Sequence, residues 1–232
     1  MRRTHSRYDQ DPNDQDPDDQ DPNDPAPYDR GSHDPVAGWL QQRLFDQRMV
    51  LLSGYLDRDR VAGVAAQLVA LDALGGHRIT LRVDSPDGDL DAVLLLMDTM
   101  DTLHVPVHAF ATGVVGGASL GALAAAGRRT AFRHAGFRLV EPRSAADPGG
   151  TADQVLSQAR QRENMLDAVV RRLAQITLKA PETVARDLRE GRYLDAFQAI
   201  EYGLVDDVAG PGGDRRRPGS GFVPDGGEDR LP

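Results

Sequence analysis

Between residues 49 and 126 the hydrophobic pattern switches repeatedly between two periods, and that switching restricts the fold more than any other feature of the chain. MVLL, Met49 to Leu52, is an apolar run of strand length, preceded by helical spacing at Trp39, Leu40 and Leu44. VAGVAAQLVALDAL, Val61 to Leu74, carries apolar residues around much of a helical circumference. ITLRVDS, Ile79 to Ser85, alternates as a strand and ends in the turn SPDGD. The cycle then repeats, with a helix expected over Leu90 to Leu103, a strand in VPVHAFATG and a short helix over Ala118 to Ala126 that opens on a glycine pair. AFRHAGFRLVEP supplies another strand or two. Strands alternating with helices imply βαβ units, and therefore an α/β fold whose mostly parallel sheet is covered on its faces. Ligands of such sheets bind at the carboxyl ends of the strands, where both SPDG and GGAS fall.

The two ends of the chain are not expected to contribute to this core. Of the net charge of −9 over 232 residues, residues 1–36 hold ten Asp against four Arg, and Asp9 to Asp24 repeats a five-residue unit, DQDPN DQDPD DQDPN D. Like charges repel, proline in each unit blocks helix, and little apolar surface is available to bury, so residues 1–36 are expected to be a disordered acidic tail. Residues 209–232, rich in Gly, Pro and charge, are expected to be a second one, leaving a folded body over 37–208. The chain has no cysteine, so disulfides and thiol chemistry are excluded. No segment combines basic and aromatic residues as a nucleic-acid surface would, and none approaches the ~18 apolar residues of a membrane span. Neither nucleic acid nor membrane is an expected partner, and a cytoplasmic protein is expected.

From Thr151 to Ile176 one long amphipathic helix is expected. Val155, Ala159, Leu166, Val170 and Leu173 fall near one stripe, with Arg160, Arg162, Arg171 and Arg172 largely off it. Such a helix either packs against another subunit or lies along its own domain, and periodicity does not separate the two.

GGASLG places a serine where a strand turns into a helix. Small residues at such a turn expose a hydroxyl and aim backbone N–H groups at an oxyanion, which makes Ser119 a candidate nucleophile. Glycine and alanine there have a second explanation, since they also let a helix pack closely on a sheet. SPDGD, one βα unit earlier, places the Gly88 N–H at the same sheet edge as the Leu120 N–H, and two donors from two loops make a candidate oxyanion hole.

The segments LFDQRMVLLSG, VDSPDGDLDAVLLLMDTM, GGASLGALAAAG, FRLVEP and GRYLDAFQAIEYGLVD occur in the order and approximate spacing of the proteolytic subunit of the Clp protease. The chain resembles that family over about Leu40 to Val208. The resemblance implies a crotonase-like α/β subunit with a protruding handle helix, assembled in stacked rings around a degradation chamber. It implies a homo-oligomer or mixed rings with Clp-type paralogues, a Clp ATPase as a further partner, and no metal or other cofactor. It also implies a Ser–His–Asp triad whose serine matches Ser119. The same match puts Val140 at the histidine position, Gly191 at the aspartate position and Asp87 at the first glycine of the oxyanion loop. The stretch between the DTM helix and Ser119 is two residues longer than the family's.

Neither Val140 nor Gly191 can take or orient a proton. Glu141 points to the opposite face of its strand from Val140, Asp195 lies about a turn from Gly191, and His104, His108 and His134 lie away from the motif. A serine without a base stays protonated at neutral pH, so Ser119 reads as a remnant. The expected function is that of a catalytically inactive Clp-type subunit acting in ring assembly or regulation. The alternatives are an active Clp-type serine endopeptidase with a rebuilt triad, and a crotonase-type acyl-CoA enzyme.

Overall fold

A computed structural model describes residues 35–142 and 150–210. The tails expected over 1–36 and 209–232 therefore lie almost entirely outside the described residues. Chain contacts separate Met1–Gly38 from Trp39–Pro232, and the fold below is that of the second unit.

Five strands form one parallel sheet in the order β1-β2-β3-β5-β8, with β1 Met49–Ser53, β2 Ile79–Asp84, β3 Val107–Ala111, β5 Arg128–Phe132 and β8 Asp207–Ala209. The helices that alternate with them are α2 Arg58–Ala73, α3 Leu90–Thr102 and α4 Ser119–Ala125, following α1 Pro35–Asp46. Sequence chemistry sets these elements locally. Asp57 caps α2 by accepting the Arg60 N–H at 2.8 Å, and Val61, Val64, Leu68 and Leu71 then bury one face at helical spacing. In β2 the alternation puts Ile79, Leu81 and Val83 in the core.

The small residues of α4 let it lie deep. A Cβ added at Gly121 would stand 2.8 Å from Met97 Sδ and 3.0 Å from Val93 Cγ1, so α4 approaches α3 more closely than any side chain there would allow.

The expected strand in VPVHAFATG ends early. Gly113, at φ +55, turns the chain out of the main sheet after β3, and Asp84 Oδ1 fixes the turn by accepting the Val114 N–H at 3.0 Å. The chain continues as β4 Val114–Gly116 in a second, three-stranded sheet of order β4-β6-β7. There β6 Gly136–Leu139 runs parallel to β4, and β7 Arg192–Asp195 antiparallel to β6. Periodicity did not distinguish this second sheet, because three- and four-residue strands hold too few alternations.

The long helix, α5, spans Ala152–Thr177 and starts at a capping box formed by Thr151 and Gln154. Its C-terminal half lies along its own domain. Val169, Val170, Leu173 and Ala174 are buried in the domain and Leu166 packs against the core, whereas the first turns stay exposed, with Leu156 at 57 %. Two further helices complete the unit: α6 Pro181–Glu190, ended by Gly191 at φ +76, and α7 Ala196–Tyr202, capped by Asp195. Among the described residues no helix is long and apolar enough to cross a membrane.

Candidate active site

Two turns meet at the carboxyl ends of β2 and β4. The first, Ser85 to Gly88, is held by Ser85 Oγ donating to the Asp87 carbonyl at 2.9 Å, and by a parallel bridge between Leu56 and Gly88. A Cβ at Gly88 would lie 2.5 Å from Leu56 Cβ, so this turn requires glycine. The second, Gly116 to Ala118, is tied to the first by the Gly116 N–H donating to the Ser85 carbonyl at 3.0 Å, and to β6 by the Gly117 N–H donating to the Arg138 carbonyl at 3.2 Å.

The amide of Gly88 and that of Ala118 converge on one atom. Both donate to Asp87 Oδ1, at 2.8 and 3.1 Å. Leu120, the expected second donor, is otherwise engaged: its N–H points back to the Gly117 carbonyl at 3.4 Å as part of the helical turn. The amide that reaches the pocket lies two residues earlier, because the turn is made by Gly117 at φ +54 and the helical ladder starts from its carbonyl.

Ser119 likewise differs from the expectation of an exposed elbow hydroxyl. It is completely buried, and its partners are backbone groups. The hydroxyl accepts the Gly116 N–H at 3.1 Å and lies 2.6 Å from the Ser85 carbonyl and 2.7 Å from that of Gly116, between which its single proton is shared. These bonds staple the two turns together beneath the pocket.

Val140 and Gly191, distant in sequence, are neighbours here: a side chain begun at Gly191 would meet Val140 Cγ1 at 3.8 Å. Asp195 does not join them, because its carboxylate caps α7 through the N–H groups of Phe197 and Gln198. Glu141 turns outward and pairs with Arg189 at 3.6 Å. His108 lies in the sheet against Thr130, 2.8 Å away, and burial, reinforced by the Arg128 charge, lowers its pKa to about 4. His104 meets Asp72 on the surface and His134 is exposed. Beside the first turn, Tyr55 donates to Asp89 at 2.8 Å. Its pKa is pushed up to about 12, first by burial and then by that carboxylate, so it stays protonated at neutral pH and cannot act as a base.

The match with the model of the Clp protease family runs over residues 33–211 and takes in every element described above. The chain belongs to the Clp protease family. It is 31 % identical over 170 residues to the ATP-dependent Clp protease proteolytic subunit 2 of Treponema pallidum, covering 72 % of this chain and 84 % of that relative. Subunit 3 from Streptomyces coelicolor is 35 % identical over 174 residues, and subunit 1 from Streptomyces avermitilis 36 % over 174 residues; each alignment covers 73 % of this chain and 78 % of the relative. Within this family the chain carries a mixed α/β unit with a mostly parallel sheet and a long helix whose first turns stand clear of its own core.

Proposed function

We propose that this chain is a non-hydrolytic subunit of a Clp-type protease, retained for assembly with itself or with active paralogues and for docking of a Clp ATPase. The observation that carries the reading is that Val140 and Gly191 are neighbours, a Cβ built at 191 standing 3.8 Å from Val140 Cγ1. The resemblance places a base and its orienting acid at these positions, and what stands there can neither accept a proton nor hold an imidazole in place. Among the described residues, Ser119 is hydrogen-bonded to backbone groups and meets no side-chain base. The names of the relatives, proteolytic subunits of ATP-dependent Clp proteases, support the assembly part of the proposal. So does the start of α5, where Leu156 and Ala159 are exposed and Val155 is half-buried, while Met165, Leu166 and the buried Val169 and Val170 further along pack on the domain core.

The test is to purify the chain alone and together with an active Clp-type subunit, then measure mass and peptide hydrolysis. A multimer alone or a mixed assembly, with no hydrolysis by the chain alone, is expected, and Leu156→Asp should lower the mass while leaving the far-ultraviolet circular dichroism of the folded chain unchanged. A monomer in both preparations would refute the assembly role, and peptide turnover by the chain alone would refute the non-hydrolytic one.

A further inference from the structure

The pocket between the two turns contains a side chain of this same chain. Asp87 Oδ1 accepts both converging amides, Gly88 N–H and Ala118 N–H. The same carboxylate lies over Gly117: an ideal Cβ at 117 would fall 2.0 Å from Asp87 Oδ1 and 2.6 Å from its Cγ, closer than any real contact. The clash is with the charged, doubly bonded end of the side chain, so relief requires giving up charge-assisted hydrogen bonds, which are stronger than neutral ones.

We propose that Asp87 is a built-in occupant of this pocket, which closes the two-amide site from within and confines position 117 to glycine. Three consequences are linked. The amides that would polarise a peptide carbonyl already hold a full negative charge, so a carbonyl oxygen entering the pocket meets a carboxylate instead of free donors. Residue 117, whose Cα faces the pocket, carries no side chain, and none can be added while Asp87 keeps its place. Ser119, two residues on, is turned into the interior instead. The contact deepens the proposed non-hydrolytic role and borrows from it the view of this pocket as peptide-facing, but the contact itself is read by stability and amide exchange, without any activity.

The test is a double-mutant cycle on the full chain. Gly117→Ser should lower the unfolding midpoint in every background by the cost of a left-handed serine, about 2–4 °C. With Asp87 intact it should lower it by at least about that much again, and Asp87→Gly should remove the extra loss. Additive effects of the two substitutions would overturn the proposal. Hydrogen exchange supplies a second reading should Gly117→Ser fail to fold: the Gly88 and Ala118 amides should exchange at least about tenfold faster in Asp87→Ala, with protection largely restored in Asp87→Asn, whose Oδ1 can still accept. Unchanged exchange in Asp87→Ala would overturn the proposal. Peptidase activity in the unmodified chain would instead count against the proposed function while leaving a non-additive cycle intact, so the two can fail separately.

Discussion

Replacing Ser119 by alanine separates a structural hydroxyl from a chemical one. The substitution deletes one donated bond, to the Ser85 or Gly116 carbonyl, and one accepted bond, from the Gly116 N–H. The Gly116 N–H keeps its second acceptor, the Ser85 carbonyl at 3.0 Å, so no buried donor is stranded there. With two bonds lost at about 0.5–1.5 kcal/mol each and one partner compensated, the expected cost is about 1–2 kcal/mol. For a folded unit of this size that corresponds to a midpoint roughly 2–8 °C lower. Thermal unfolding followed by circular dichroism, at matched protein concentration, reads the shift directly. An unchanged midpoint would mean that the hydroxyl does not staple the turns and is free for another role, which would refute the placement argued above.

Further expectations concern the sheet and the helix layer. His108 is protonated near pH 4 in the folded chain, against 6.5 for an ordinary histidine, because burial disfavours its charged form. Between those values the unfolded chain binds more protons than the folded one, so stability should fall as the pH drops from about 6.5 to 4, by on the order of 1–3 kcal/mol, and His108→Gln should flatten that slope in a series of unfolding curves. Gly121→Val should cost about 1–3 kcal/mol through overpacking against Met97 and Val93, and Met97→Ala should offset part of that loss in a double-mutant cycle.

The parts of the fold that could be read in the sequence are those whose signal is periodic. Ile79, Leu81 and Val83 alternate in β2, and Val61, Val64, Leu68 and Leu71 recur at helical spacing in α2, so the alternating βα order was visible without any contact information. The second sheet was not, since β4 owes its existence to the turn at Gly113 and β7 to antiparallel pairing with a strand more than fifty residues away in the chain. At the site, Val140 and Gly191 are picked out by the family resemblance alone, and nothing local in either segment indicates that they are neighbours.

The elbow shows most clearly where sequence reasoning ran out. Ser119 stands out as the one hydroxyl in a run of glycine and alanine, yet all four residues of GGAS are buried, and how each is turned depends on the backbone angle at Gly117, which the letters do not specify. The stretch before Ser119 exceeds the family's by two residues, and the residue that lies against the Asp87 carboxylate, Gly117, is two before Ser119. That length difference was the available signal, and it pointed to Gly117. Asp87 was legible as the residue at the first glycine of the family's oxyanion loop. That its carboxylate fills the pocket follows only from the geometry of the two turns.

Whether Ser119 reacts separates a remnant serine from a working nucleophile. Incubating the purified, unmodified chain with a fluorophosphonate probe and mapping adducts by peptide mass spectrometry, beside an active Clp-type subunit as positive control, measures this directly. A hydroxyl that is buried and, among the described residues, bonded to backbone groups with no base beside it should give no adduct at Ser119, and the chain should release no product from a small peptide ester. An adduct on Ser119, together with ester cleavage that Ser119→Ala abolishes, would show that the site opens and finds a base, and would contradict the account.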